Sequence, residues 1–256
     1  MTLQAHSYIS IEQSITSTNA KLDIILWSDL NQTGGLTGGL GGYITVSPGV
    51  TLNSNGGQIV LAGGQDTNAD GIPDGFAWNA NTGAFGGIML GPGAGTGSSI
   101  TLSSGGGNII LRGRTSGAAD RPGVMTQSRF RIDSGTGTIN IQGTSSSNHG
   151  IELAWAVDSN YAITSASTAA TPAITINGST SRLGDAGTIL ALRGGGYLIQ
   201  STGATGGGVS ITGQHTTATG NSLYLTGSGG ATAYVLSRNG AIDLSGLGGS
   251  NGITSE

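Results

Sequence analysis

Short apolar runs that end in glycine recur along the whole chain and constrain its fold more than any other feature. Each unit reads apolar, any residue, apolar, any residue, glycine, and glycine accounts for 50 of the 256 residues. Alternation with period two places both apolar side chains on one face of a short strand. Glycine after the strand predicts a corner, because it takes a positive φ without a Cβ clash. The closing glycines are Gly63, Gly113, Gly143, Gly178, Gly194, Gly213, Gly227 and Gly246.

A strand-and-corner unit repeated in degenerate form indicates a repeat protein. Two architectures bury such strands, namely antiparallel sandwiches or barrels and the parallel β-solenoid. Sandwiches favour two-residue Asn-Gly or Asp-Gly hairpins, whereas the strongest units here carry glycine on both flanks, as in residues 106–113 and 137–143. The pattern therefore favours an all-β parallel solenoid with turns of roughly 20–30 residues, and the sandwich stays the alternative.

Helix signals are nearly absent, because glycine interrupts most windows and β-branched residues are frequent in the apolar runs. Segments 29–42, 63–86, 91–98 and 114–128 lack alternation and are predicted as loops. We expect a single β-solenoid segment over residues 1–256, with a loop insertion around 63–86. The predicted strands are 7–11, 22–27, 42–46, 50–53, 58–62, 87–90, 99–103, 108–112, 129–133, 138–142, 150–155, 161–164, 173–177, 188–193, 197–200, 208–212, 222–226, 232–237 and 241–245.

Composition excludes several classes of function. Charged residues are only 9% of the chain, against roughly 25% in an average globular protein. The net charge is −4 and Lys21 is the single lysine, so we expect no nucleic-acid partner, because phosphate binding needs clustered Lys and Arg. The chain has no cysteine, which fits bacterial surface and secreted repeat proteins. We also expect no membrane insertion, because no run approaches the ~18 apolar residues of a spanning helix.

The sharpest local motif is D-T-N-A-D-G-I-P-D at residues 66–74. Oxygen ligands at alternate positions, with a glycine that permits a tight turn, suit a hard cation such as Ca²⁺. The motif resembles the calcium loops of thrombospondin type 3 repeats. The twelfth position of an EF-hand loop is Ala77 here, so we expect a modest affinity suited to millimolar extracellular calcium. The predicted ligands are the side chains of Asp66, Asn68, Asp70 and Asp74 and the carbonyl of Ile72.

The alternative for this motif is an Asx-turn loop whose carboxylates only accept hydrogen bonds from backbone amides. Directly after it come Phe76, Trp78 and Phe85. Aromatic rings present flat apolar faces, so this group is a candidate platform for stacking sugars. The alternative is that the three rings pack down and cover the side of the solenoid.

Catalysis is the alternative function, because polysaccharide lyases and glycosidases also use parallel β-helices. Glycosidases need paired carboxylates on one exposed face, and lyases usually need a Lys or Arg base there. The acids expected to align on neighbouring turns are Asp133, Glu152 and Asp158. With one lysine in the chain we predict no catalytic residues and no enzymatic activity.

Three further patterns carry little information. His6, His149 and His215 are far apart in sequence and form no metal-binding spacing. Residues 248–252 match the G-x-S-x-G string of hydrolases, but that elbow requires a strand before it and a helix after it. Threonines do not recur in the regular T-x-T rows expected of an ice-binding face.

The N-terminal third resembles a known family. Residues 22–29 (LDIILWSD) lead into a glycine-rich bend, followed by 41–46 (GGYITV) and 50–61 (VTLNSNGGQIVL). This succession is similar to the repeats of filamentous-haemagglutinin-like large exoproteins, the secreted adhesins of two-partner secretion systems. The resemblance is specific over about residues 20–64, and the Asn-Pro motifs of the family's secretion domain are absent. It implies a right-handed parallel β-helix without catalytic residues.

These observations together predict an extracellular or cell-surface bacterial protein with a structural or adhesive role. The expected partners are other copies of the chain or neighbouring repeats of a longer chain, together with surface glycans. Unpaired strand edges at the ends of a solenoid are templates for pairing with another chain. We therefore expect stacking end to end into a fibre.

Overall fold

A computed structural model describes residues 1–36, 40–81, 85–93, 98–117, 120–153, 161–169, 171–182, 186–193, 197–217, 219–228 and 233–255. The described residues form 26 β-strands and no α-helix. Almost all of the strands belong to three parallel sheets, here called sheets A, B and C, which the chain visits in turn. The prediction of an all-β parallel solenoid is confirmed.

Sheet A runs along the whole described stack, and five of its strands contain seven residues. Its strands, in spatial order, are β1 (Thr2–Gln4), β4 (Ile24–Ser28), β9 (Ile59–Gly63), β13 (Ile109–Thr115), β16 (Ile139–Ser145), β19 (Ile174–Thr180), β22 (Val209–His215) and β25 (Ile242–Gly248). One further strand, β10 (Ala77–Asn79), pairs with β13 next to β9.

Sheets B and C complete each turn. The strands of sheet B are β2 (Ile9–Ile11), β7 (Ile44–Val46), β11 (Ile88–Leu90), β14 (Val124–Thr126), β17 (Ile151–Leu153), β20 (Thr188–Arg193), β23 (Asn221–Ser228) and β26 (Asn251–Ser255). Those of sheet C are β3 (Ile15–Thr16), β8 (Thr51–Asn53), β12 (Ser99–Ser103), β15 (Arg129–Asp133), β18 (Tyr161–Ser165), β21 (Tyr197–Ser201) and β24 (Ala233–Ser237). A small antiparallel pair joins β5 (Gly35–Leu36) to β6 (Leu40–Gly41).

Most turns are longer than the 20–30 residues predicted. Ile109 pairs with Ile139, Ile139 with Ile174 and Ile174 with Val209, so these turns contain 30, 35 and 35 residues. The step from Ile59 to Ile109 contains 50 residues, because it includes an insertion. Three strands complete each of these turns. The sequence predicted all three in the turns that begin at Ile139 and Ile174, and it missed β14 in the turn that begins at Ile109.

Apolar columns fill the interior of the stack. One column in sheet A contains Leu26, Leu61, Leu111, Ile141, Ile176 and Ile211, which are all fully buried. Each fully buried aliphatic side chain of this kind contributes about 1.5–3 kcal/mol relative to an exposed one. The alternation of apolar residues therefore predicted the inward face of these strands correctly.

The glycines that close the apolar units are not corners in sheet A, which corrects the prediction. Five of them lie within strands, pair with each other in one column and do not have a positive φ. They face inward, where a Cβ would lie 1.8–2.2 Å from a carbonyl oxygen of the chain at the start of sheet B. Glycine is needed here because two backbones approach closely. The five are Gly113, Gly143, Gly178, Gly213 and Gly246; Gly194 lies outside the described residues.

A column of buried serines marks the real corner between sheets C and A. These serines stand at the ends of successive strands of sheet C, and their hydroxyls donate to carbonyls of the corner, as Ser134 does to Gly137 at 2.7 Å. Each such bond satisfies a polar group that the stack has removed from water. The members described as buried are Ser54, Ser104, Ser134, Ser165 and Ser201.

Parts of three predicted loops are strands. The strands β5 and β6 lie in predicted loop 29–42, β10 lies in 63–86, and β14 lies in 114–128. All of them are two or three residues long, which is too short to show an alternation. The predicted loop 91–98 contains no described strand within 91–93 and 98.

Candidate functional site

The predicted calcium motif lies in an excursion that interrupts sheet A. Strand β9 pairs with the first half of β13, the chain then leaves the sheet over residues 64–76, and β10 returns to pair with the second half. Gly63 and Gly75 form an antiparallel bridge at the base of this excursion. The insertion is thus tied to the solenoid at both ends and lies on one face of it.

The carboxylates of the motif accept hydrogen bonds from the backbone of the motif itself. The N–H of Gly71 donates to Asp66 at 2.8 Å, and the N–H of Asp70 donates to Asn68 at 3.0 Å. The N–H of Ile72 donates to Asp70 at 2.8 Å. These are Asx turns, and they fold residues 66–72 into a compact loop.

Asp74 closes the loop from its other end. Its carboxylate accepts the hydroxyl of Thr67 at 2.6 Å and the N–H of Thr67 at 2.8 Å. These bonds, the hydroxyl first, hold the pKa of Asp74 below its ordinary value. Its own N–H donates to the carbonyl of Gln65 at 3.0 Å.

This geometry corresponds to the Asx-turn alternative for the motif. Within the described residues no group of three or more acidic, histidine or cysteine side chains is placed to hold a metal ion. The hydrogen bonds close the loop without a cation. Calcium binding by Asp66, Asn68, Asp70, Asp74 and the Ile72 carbonyl stays a prediction.

The three predicted sugar-stacking aromatics do not form one platform. The guanidinium of Arg114 covers the ring of Trp78 at 4.2 Å, and the Trp78 Nε1–H donates to Ser116 at 2.8 Å. Phe85 stacks on Tyr43 with ring centroids 4.7 Å apart. Both rings therefore pack against the solenoid, as the alternative interpretation expected. Phe76 lines a concavity.

That concavity lies over the outer face of sheet A and was not predicted. It has a volume of about 380 Å³ and is lined by Phe76 and by polar residues of β16, β19 and β22. A second concavity of about 230 Å³ shares Thr144 and Ser179 with it. The outward positions of these strands carry ordinary Ser, Thr, Asn and Gln side chains, which do not mark a binding surface in the sequence.

A buried carboxylate at the turn after β4 was also missed. Asp29 is fully buried and has a positive φ of 49°. Its Oδ1 accepts N–H groups from Thr33, Gly34 and Gly35 at 3.1–3.2 Å. Burial raises the pKa of the Asp29 carboxyl, against the opposing effect of these donors. Asp29 anchors the loop that carries β5 and β6.

The two described acids among those expected for a glycosidase lie on different sheets. Asp133 lies in sheet C, where its carboxylate contacts Arg131 at 2.8 Å. Glu152 lies in sheet B, between Met125 and Ile189 of the neighbouring strands. Asp158 lies outside the described residues. Two carboxylates on different sheets do not provide the acid and base of one active site.

The remaining motifs are structural where they are described. His215 is buried, and its Nε2 lies 2.9 Å from the carbonyl of Arg182. His149 Nδ1 accepts the N–H of Ala186 at 3.0 Å. The G-x-S-x-G string connects β25 to β26, so a strand and not a helix follows Ser250.

Comparison of the chain with known protein families, with curated proteins and with solved structures finds no match. Within the described residues no helix is long and apolar enough to cross a lipid bilayer. The stack itself and the surfaces that it presents are therefore the basis for a proposal of function.

Proposed function

We propose that this chain is a segment of an extracellular structural and adhesive shaft, and that it acts by stacking rather than by catalysis. Successive turns add along one axis, and each is held by the backbone hydrogen bonds and apolar columns of its neighbours. Such a stack carries surface side chains at a fixed spacing, so that many weak contacts add together once the first has formed.

The main support for this proposal is the exposure of apolar side chains where the columns end, at the two ends of the described stack. The column of Leu26 begins at Leu3, which is 38% exposed, and ends at Leu244. In sheet B the column of Ile44 begins at Ile9 and ends at Ile253, which is 50% exposed. Ile9 is already buried, so Leu3 at one end and Ile253 at the other are the exposed side chains that a further turn would cover.

The two ends also match each other in register. A second copy placed end to end continues the columns of sheets A and B, with Leu3 above Leu244 and Ile9 above Ile253. Within the described residues sheet C has seven strands where sheets A and B have eight stacked positions, so its column is one strand short at this junction. Neighbouring repeats of a longer chain would continue them in the same way. An open parallel edge pairs readily with a strand of matching register.

The proposed adhesive role and extracellular location are supported by the sequence and not by the ends of the stack. The resemblance of residues 20–64 to secreted adhesin repeats favours the cell surface, as does a shaft with 9% charged residues and no cysteine. The separation of Asp133 from Glu152 leaves the polysaccharide-degrading alternative without an observation in its favour.

Sedimentation velocity over a range of concentrations tests the stacking. We expect the 256-residue chain to form linear oligomers that lengthen with concentration. Leu244→Lys places a charge at the end of an apolar column, where it would have to be buried on stacking, and is expected to weaken association at least tenfold. Ser245→Lys, on the opposite face of β25, is the matched control. A monomer at all concentrations, or equal effects of the two variants, would contradict the proposal.

A further inference from the structure

The outer face of sheet A is apolar in the first turns of the stack and polar in the later ones. In its first turns this face is apolar and covered, since Ile25, Val60 and Ala62 are buried there beneath the side chain of Ile72. The cover is the excursion over residues 64–76. It is fixed to the sheet by Arg112, whose Nη1 donates to the Pro73 carbonyl at 2.8 Å, and by Trp27, whose Nε1 donates to Gly64 at 2.6 Å.

Beyond the excursion the same face is open and polar. Strands β16, β19 and β22 pair without a register break, and two of the columns formed by their outward positions lie side by side across three turns. Each of these positions carries a hydroxyl or an amide, and none carries a charge. The two columns are Gln142, Asn177 and Thr212, and Thr144, Ser179 and Gln214.

The columns line a continuous cleft. The larger concavity, of about 380 Å³, contains all six of these side chains and has Phe76 in its wall. The smaller one, of about 230 Å³, extends the cleft past Thr144 and Ser179 to Arg114 and Ser116. Phe76 is half-buried at the point where the excursion rejoins β10. The cleft thus combines one aromatic ring with a regular array of neutral hydrogen-bonding groups.

This lining matches a ligand that is rich in hydroxyls and has no charge. Amides and hydroxyls both donate and accept hydrogen bonds, as sugar hydroxyls do. Phosphate or carboxylate ligands are recognised by Lys and Arg, and the cleft has only Arg114, whose guanidinium already lies over Trp78. Adjacent strands lie about 4.8 Å apart, close to the length of one sugar unit in an extended glycan.

We infer that this cleft binds a neutral polysaccharide laid across β16, β19 and β22. The six side chains hydrogen-bond successive sugars, and the ring of Phe76 packs against the apolar face of a sugar at one end. The inference rests on the adhesive part of the proposed function and gives it a ligand class. It does not require end-to-end stacking.

Titration calorimetry with defined oligosaccharides tests the inference. The probes are cellohexaose, xylohexaose, mannohexaose and maltohexaose, with hexagalacturonate as the anionic comparison. We expect at least one neutral hexasaccharide to bind. Asn177→Ala/Gln214→Ala removes two exposed amides and should weaken this binding about tenfold or more. Thr101→Ala/Ser103→Ala, on outward positions of β12 in sheet C, should leave it unchanged.

Three results would overturn the inference: no neutral hexasaccharide binds, hexagalacturonate alone binds, or the two double variants bind equally well. Circular dichroism and sedimentation of the Asn177→Ala/Gln214→Ala variant show whether its fold and assembly are intact. Lost glycan binding with intact assembly supports the cleft. Glycan binding without any assembly would overturn the stacking of the shaft but leave the cleft in place.

Discussion

Single glycines set how closely sheets A and B approach each other. Gly143 stacks between Gly113 and Gly178, and each of these glycines lies against a backbone carbonyl at the start of sheet B. A carbonyl that is part of the backbone cannot rotate away as a flexible side chain can. The inward glycine column is therefore a packing requirement of the fold and not a source of flexibility.

Gly143→Ala is expected to destabilise the chain by about 2–3 kcal/mol, the upper part of the range for an overpacked core. The added Cβ would lie 2.2 Å from the Gly150 carbonyl oxygen and 2.4 Å from Ile151 Cγ1. Gly252→Ala is the matched control, since its Cβ would have 3.4 Å to the nearest atom. Urea unfolding measures both, and equal midpoints for the two variants would contradict the packing account.

Asp29 makes the stability of the chain depend on pH in a defined direction. Because burial raises the pKa of this carboxyl in the folded state, its contribution is fully present below the ordinary value of 3.8 and is lost as the pH rises through the raised value. Asn at this position keeps a carbonyl acceptor, tolerates a positive φ and does not titrate. The free energy of unfolding of the native chain minus that of Asp29→Asn should therefore fall from pH 3 to pH 7.

Asp74→Asn gives the opposite sign and serves as the control for Asp29. The pKa of Asp74 is lowered by its bonds to Thr67, so its contribution is present above 3.8 and lost as the pH falls through the lowered value. Urea titrations at a series of pH values measure both differences. If the two differences in free energy of unfolding changed with pH in the same direction, the carboxyl of Asp29 would not have the raised pKa that its burial implies.

At the scale of elements, the excursion over residues 64–76 determines which part of the outer face of sheet A is exposed to a ligand. It covers the outer apolar cluster of Ile25, Val60 and Ala62 and ends at the wall of the cleft. Its carboxylates organise the loop through backbone N–H groups. The loop and the cleft are therefore parts of one surface.

The calcium prediction belongs to this element. Calorimetric titration of the chain with CaCl₂ is expected to show one weak site with a dissociation constant of about 10⁻³ M, as in extracellular calcium modules. Asp66→Ala/Asp70→Ala should abolish it, whereas Asp243→Ala, on β25, should not. No heat of binding, together with a melting temperature unchanged by chelator, would leave the loop with the Asx-turn role alone.

Alternation along strands was enough to predict the inward columns, because it is a local property of each segment. Gly143 was wrongly predicted to be a corner. Position 143 requires glycine because the carbonyl of Gly150, just before β17 of sheet B, lies against it, and a contact between two sheets is not visible in a local pattern. Strand β10 was missed because it is defined by pairing with β13, across an insertion. The cleft was missed for a similar reason: Gln142, Asn177 and Thr212 become neighbours only once the register of three turns is known.

At the scale of the whole molecule, the stack is a rod whose length grows with each turn added. Sheet A has eight stacked positions. With about 4.8 Å between neighbouring strands, one copy of the chain spans about 38 Å along the axis. Successive turns pair through all three sheets up to β24, and the last described turn pairs through sheets A and B, so the pairing stops at the two ends of the described stack.

Electron microscopy and diffraction of concentrated, aligned chain test the stacking most directly. Continuation of the columns from Leu244 to Leu3 of the next copy predicts unbranched fibres one solenoid wide. It also predicts a meridional reflection at about 4.8 Å, because the strands lie across the fibre axis. Particles of one fixed size, or fibres whose 4.8 Å reflection lies on the equator, would contradict the account.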